Sequence, residues 1–280
     1  WRIQDEAFLK NVNFLSELKL RASYGATGNQ PTINYLYFST FSAGRNAVFN
    51  GNRYSSLQPS RSANPDLQWE AAVQADLGID FGFFNGRLTG SIDYYNRKTS
   101  NLLYDIPQPA STGFGSRIEN VGSMRNTGVE LALKGILTDK NGFRVDAGFN
   151  ITTLKNRVLS LGKVPQFIGS GPGSIGQVSI LKPGESIGSF YGYLVDGVWQ
   201  TGEDFTQAQS GVRPGDLKYR DLDGNKVINA NDRVVLGKSL PDFFYGFNTS
   251  ASYKTLALDV FLEGSQGAKM LNSSLVDAYY

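Results

Sequence analysis

The chain has 280 residues, a formal net charge of +2, no cysteine and no histidine. Those absences exclude a thiol nucleophile, a disulfide scaffold, a Cys/His zinc site and a histidine general base, and near-balanced charge without a basic run excludes nucleic acid as a partner. Thirty-two glycines and 32 Phe plus Tyr residues suit a β-rich protein with many turns.

The first dozen residues, through Phe8-Leu9-Lys10, read as irregular or weakly helical. A first strand follows, with Leu18, Leu20, Ala22 and Tyr24 alternating with Lys19, Arg21 and Ser23. A weaker strand candidate lies at 33–41. The decisive segment is 69–83. Trp69, Ala71, Val73, Ala75, Leu77, Ile79 and Phe81 alternate with Glu70, Gln74, Asp76, Gly78, Asp80 and Gly82. This period of two persists far beyond an ordinary strand of about 5–6 residues, and exceeds the about 9–11 residues that a tilted strand needs to cross a bilayer.

Asn85-Gly86 then signals a tight hairpin, because type I′ turns need positive φ at both central residues. Further alternating strands follow at 88–95, 129–134, 143–152, 243–253 and 256–263, with a weaker candidate at 187–200. Short connections are expected at Asn85-Gly86, Asp139-Lys140-Asn141-Gly142 and Lys254-Thr255. Long irregular loops are expected near 28–68, 99–116 and 156–241, with a flexible Gly/Ser/Pro-rich stretch at 160–186. Tight turns at one end and long loops at the other describe an antiparallel up-and-down transmembrane β-barrel. Trp69, Phe81, Tyr94, Phe243 and Tyr253 lie near strand ends on the apolar face, where an interfacial girdle would sit; aromatic residues also favour strands on their own account. The rival reading is a soluble secreted carbohydrate-binding β-sandwich, whose strands would be about six residues long.

The candidate metal loop is Asp221-Leu222-Asp223-Gly224-Asn225-Lys226-Val227-Ile228-Asn229-Ala230-Asn231-Asp232. Asp221, Asp223, Asn225, Asn229 and Asp232 fall at positions 1, 3, 5, 9 and 12, with the Val227 carbonyl at 7, as in an EF-hand-like calcium loop. Lys226 stands where that pattern wants glycine, and Asp232 is shorter than the usual glutamate. A polar turn with Asx hydrogen bonds is the other reading. Any Ca²⁺ would be structural, and no cofactor is required. Gly169-Ser170-Gly171-Pro172-Gly173 lacks the Lys-Ser/Thr of a phosphate loop. Asp93, Glu130, Asp146 and Asp259 would be scattered wall charges rather than a catalytic pair. Asn248-Thr249-Ser250 and Asn272-Ser273-Ser274 match the glycosylation sequon. The loop tyrosines Tyr35, Tyr37, Tyr54, Tyr191 and Tyr193 would either stack on a sugar ring or pack the loops together.

Four segments carry a family resemblance: Leu18–Gly25 with Thr27-Gly28-Asn29-Gln30, Asn64-Pro65-Asp66-Leu67 leading into Trp69-Glu70, Glu119–Leu131, and Pro214–Tyr219 through Asp221–Gly224. In this order they resemble the SusC/RagA family of TonB-dependent outer-membrane transporters. The resemblance implies a partial C-terminal portion, residues 1–280, of a barrel of about 22 strands, without its plug domain and final strands. Residues 156–241 would be a long extracellular loop region with a short inserted hairpin. It also implies a bacterial outer-membrane location, import of an oligosaccharide or peptide, a SusD-like surface lipoprotein as lid, and a TonB complex acting through the N-terminal part. Outer-membrane lipid would surround the wall, and no enzymatic activity is implied.

Overall fold

The computed structural model describes residues 1–30, 33–44, 46–171, 176–205 and 211–275. Seven strands form the wall: β1 (Leu15–Asn29), β2 (Glu70–Phe83), β3 (Leu88–Pro107), β4 (Ser116–Lys140), β5 (Phe143–Thr153), β6 (Phe243–Tyr253) and β7 (Leu256–Gln266). They lie side by side in sequence order, each antiparallel to the next. The seven strands read from the sequence are these seven, and five are longer than their alternating segments suggested at one end or both; β6 keeps the bounds read for it, and β2 begins at Glu70 rather than Trp69. The first dozen residues form two short 3₁₀ turns, Ile3–Asp5 and Ala7–Leu9.

The register sorts the side chains. Directly paired residues of neighbouring strands share a face, so one row runs Leu20, Ile79, Ile92, Leu131, Ile151, Tyr245 and another Leu18, Phe81, Gly90, Leu133, Phe149, Phe247, Leu262. The opposite face carries Lys19, Asp80, Ser91, Ala132, Asn150, Gly246 and Glu263 in one row. Two phenylalanines, Phe244 and Phe261, break this polar face: they pair with Thr152 and Asn248.

Nothing among the described residues covers the apolar face. Leu77 is 51%, Ile92 44% and Val129 42% exposed. The buried apolar side chains are Leu36, Ala72, Val158, Leu161, Ile180 and Trp199, and only Ala72 belongs to a wall strand. A sandwich would bury these stripes against a second sheet; here they stay open along a single sheet.

The turn end of the wall matches its sequence signals with one correction. Asn141 and Gly142 take φ of 53° and 76° between the paired Lys140 and Phe143, and Lys254-Thr255 joins Tyr253 to Leu256. The first connection is four residues rather than two, Phe84–Arg87, because Phe83 pairs with Leu88 and Phe84 also turns to φ 55°. Its ring clusters with Phe83, itself stacked near Phe14 and Phe81. Phe143 meets Tyr253 edge-on at the same end.

The opposite end is more ordered than its composition suggests. Of the loop expected at 99–116, residues 99–107 and Ser116 are strand: they continue β3 and β4, leaving only 108–115 as connection. Their pairing passes a bulge at Asn101, φ 59°. Segment 156–241 holds more than one hairpin. Phe167–Ser170, Gln177–Leu181, Ser189–Tyr193 and Arg233–Lys238 form a four-stranded sheet, and Val195–Val198 pairs with Leu217–Tyr219. The 160–186 stretch is therefore partly strand. Its Pro172 and Gly173 lie outside the described residues, as does the chain end after Leu275. Of the two weaker candidates, 187–200 contains Ser189–Tyr193 and Val195–Val198, whereas 33–41 is turn until Thr40. Lys155–Ser160 extends β5 along β4, keeping its register as far as Val158: Thr152 faces Glu130, Lys155 faces Thr127 and Arg157 faces Arg125.

Asparagines pin the loops to this frame. Buried Asn64 donates to Ile118 O at 2.8 Å and accepts from Arg117 Nη2 and the Asp66 amide. Asn120 accepts from the Gln68 amide and donates to its carbonyl, both at 2.8 Å, replacing a strand partner. Buried Asn156 donates to Asn126 Oδ1 and accepts from the Ile187 amide. Each pin satisfies backbone groups that would otherwise go unpaired away from a ladder.

Candidate functional site

The polar face of β1–β4 forms a recess of about 630 Å³ lined by residues including Arg21, Gln74, Asp76, Asp93, Tyr95 and Glu130. Arg21 Nε and Nη2 donate to the two Asp80 oxygens at 2.8 and 2.7 Å, and Nη2 also meets Asp93 Oδ1 at 2.8 Å. Register explains the reach. Arg21 faces Gly78, and Gly78 faces Asp93, so the guanidinium spans β2 across a position without a side chain. A Cβ at Gly78 would collide with Asp93 Oδ1 and Arg21 Nη2. Asp76 accepts from Ser23 Oγ at 2.8 Å and Gln74 Nε2 at 2.7 Å.

Three further glycines admit polar cover on this face. Tyr95 lies over Gly128 and donates to Thr153 O at 3.3 Å. Asn248 covers Gly148 while Asn150 covers Gly246, a reciprocal pair between β5 and β6. The alternation in the sequence puts Gly78, Gly148 and Gly246 in the polar phase and leaves Gly128 outside its strand. The available signal was a glycine in strand phase beside a long polar residue, which marks close approach.

Of the four acids read as scattered wall charges, Asp93 and Glu130 face each other across β3 and β4, while Asp146 and Asp259 stand apart. Asp93 belongs to the Arg21 network and Glu130 to the same recess. Asp146 is paired with Arg144 at 2.8 Å, and Asp259 sits on β7 opposite Ser250.

The loop tyrosines fall into separate ring groups. Tyr35 and Tyr37 both contact Phe38, at 6.1 and 4.3 Å between centroids, beside a recess of about 270 Å³ that Trp69 also lines. Tyr54 meets Phe49. Tyr193 contacts Tyr219 at 5.5 Å and lies 5.1 Å from the Arg233 guanidinium; Tyr191, two residues away on the same strand, pairs with Val235.

The Asp221–Asp232 segment folds into a tight loop. Asp221 accepts from the Gly224 and Lys226 amides at 2.8 and 2.6 Å, Asp223 from Asn225, and Asn225 from the Val227 amide. Fully buried Asp232 accepts from the Leu222 and Asn229 amides, both at 2.8 Å, and closes a capping box with Asn229 on the 3₁₀ turn Ala230–Asp232. Lys226 adopts φ 66°, taking the left-handed turn usually given to glycine, while Gly224 has φ 73°. Carboxylate oxygens of Asp221, Asp223 and Asp232 lie within 4.8 Å of one another. The Lys226 amide, foremost among its donors, holds the Asp221 carboxyl below the ordinary carboxylate range.

Comparison with known proteins places this geometry. Residues 2–263 match the family model described as TonB dependent receptor-like, beta-barrel. TonB-dependent receptor P3 of Formosa agariphila is 38% identical over 283 residues, covering 99% of this chain and 28% of that protein. TonB-dependent receptor SusC of Bacteroides thetaiotaomicron is 31% identical over 277 residues, covering 95% of this chain and 26% of that protein. The solved structure of the RagAB peptide transporter superposes with a TM-score of 0.75 at 29% identity, over 94% of this chain and 28% of that one. The chain thus spans little more than a quarter of the length of these relatives. It belongs to the TonB-dependent receptor β-barrel family, on its SusC/RagA-like branch, and forms part of the wall of a bacterial outer-membrane barrel.

Proposed function

We propose that the protein carrying this chain imports oligosaccharides or peptides across the outer membrane, by gated passage through the lumen rather than by bond chemistry. The observation that carries this reading is the two-faced wall. Its apolar rows are exposed where lipid would cover them, and its polar rows hold the Arg21–Asp80–Asp93 network where water would fill the lumen. Asp93, which faces Glu130 across the recess, is engaged by Arg21 at 2.8 Å, and this supports a role as wall charge over one as half of a catalytic pair. Peptide as a substrate class is supported by the likeness to the RagAB peptide transporter. The resemblance to SusC adds glycans, a SusD-like surface lipoprotein and a TonB complex acting through a plug carried elsewhere in the protein. Tyr35, Tyr37, Tyr191 and Tyr193 would meet the substrate at the outer mouth. Deleting the gene should abolish growth on the imported glycan or peptide mixture and complementation should restore it; unchanged uptake of every such mixture would sink the reading.

We also propose that the Asp221–Asp232 loop takes Ca²⁺. Its donors are all oxygen, as a hard cation requires, and its carboxylates converge. Asp221, Asp223, Asn225, Asp232 and the Val227 carbonyl would hold the ion, whose contribution would be to stiffen the loop. Titrating the detergent-extracted protein calorimetrically with Ca²⁺ after chelation should give one site that Asp221→Ala/Asp223→Ala removes; identical heats in both proteins would exclude it.

A further inference from the structure

We infer that the outer surface of β3, β4 and the Lys155–Ser160 extension binds the phosphate groups of an anionic outer-leaflet lipid. The register carries the argument. Above the apolar row of Leu77, Tyr94 and Val129 lies the row Tyr24, Ala75, Asn96, Thr127, Lys155. The row above that is Ala26, Val73, Lys98, Arg125, Arg157. Direct pairing puts these side chains on the same face as Leu77 and Ile79, the face turned to lipid. Three cations therefore stand abreast on adjacent strands, with Lys155 one row lower.

Like charges directly opposed across a sheet destabilise it. A carboxylate between them would be the ordinary remedy. Among the described residues, no ion pair reaches Lys98, Arg125, Lys155 or Arg157. Arg157 Nε donates to the Gly184 carbonyl, a neutral partner. Asp242 lines a recess with Lys155, and it is paired with Lys238 at 2.7 Å. All four side chains are exposed. The contrast with the opposite face is sharp: Arg21 and Arg144 there are each matched to two carboxylates.

Height selects the ligand. The cluster begins one row above Tyr94, an amphipathic ring of the kind that sits at headgroup level, so the cations stand where lipid phosphates lie. Arginine forks match phosphate bidentately, and lysine adds a point charge. A lipid whose chains lie along Leu77, Ile92 and Val129 would bring its phosphate to this row without leaving the bilayer.

This inference rests on the bilayer placement of the apolar face, and the test separates the two. The intact outer-membrane protein is extracted in detergent, and its co-purifying lipid is identified by native mass spectrometry. A triple variant, K98Q/R125Q/R157Q, is compared with K10Q/K140Q, whose changes lie at the turn end. Wild type and K10Q/K140Q should retain a phosphorylated lipid, and the triple variant should retain at least tenfold less. Equal retention by all three proteins would overturn the site. Should the triple variant fail to fold, wild type alone decides: washing at 1 M salt should strip the lipid, since screening at that ionic strength extends to about 3 Å, and lipid surviving the wash would count against a phosphate–cation contact. Displacement by millimolar inorganic phosphate with no lipid bound at any salt would mark a soluble-anion site and refute the lipid. Protein that needs no detergent would refute the bilayer placement instead.

Discussion

The wall and the loop region solve the burial problem in opposite ways. The wall is one sheet with almost no interior; its apolar rows await hydrocarbon, and its strands are held by ladders and cross-strand pairs. Segment 156–241 builds small interiors of its own, around Leu161, Ile180 and Trp199, with Lys218 4.2 Å over the Trp199 ring and Asp232 sealed beneath its amides. A single chain thus folds against two solvents. A residue type must be read by which solvent it meets: exposed Leu77 is satisfied by lipid, whereas exposed Lys98 requires an anion.

The contrast is broken most directly by charge at mid-wall. Leu131→Arg, whose partners are Ile92 and Ile151, should cost about 2–4 kcal/mol in a lipid-based denaturant titration. Glu130→Arg, one residue away on the polar face, should be mild; equal costs would remove the distinction between the faces. The loop side is tested at its pins. Asn64→Ala strands the Ile118 carbonyl and Arg117, and should cost about 1–3 kcal/mol, read as faster proteolysis across 30–69 with the wall protected. Gly78→Ala should part Arg21 from Asp93. Because those side chains are partly exposed, the expected loss is at most about 1 kcal/mol, and a double-mutant cycle with Asp93→Asn should show the two changes to be non-additive. The smallest effect is acidic. Asp221 is held below its unfolded value, so its contribution is full above about pH 4 and is lost as pH falls through the lowered value. Hydrogen exchange over 221–232, corrected for intrinsic rates, should rise there while β4 stays protected.

The wall was legible because period two maps directly onto its faces, and no interior intervenes to blur the pattern. β2 shows this over its whole length. The loop strands outside 187–200 were hidden for a physical reason: Phe167–Ser170 has four residues and Leu217–Tyr219 three, with bulges in their pairing, too short for a period to declare itself. The extensions of β3 and β4 were missed because beyond Ser100 they leave the membrane and lose apolar alternation while keeping their partners. Glycine-rich 160–186 looked structureless by composition alone. The calcium-like spacing was plain in the letters, but only backbone conformation reveals that Lys226 performs the turn in place of glycine. The Asn64 and Asn120 pins lie inside segments that sequence comparison reads as family signature; their hydrogen bonds supply the cause.

The 25 residues of β4 make a strand about 80 Å long at about 3.3 Å per residue. Tilted by about 40°, it rises some 60 Å, against an apolar belt of about 25 Å. It is therefore also a mast. The β5 extension runs beside it in the same register as far as Val158, with no hinge at the water line. Force applied at Asn126 is delivered along the continuous backbone of β4 to Leu131 and Leu133 inside the bilayer, so a load beyond the apolar belt can strain the barrel without touching its lumen.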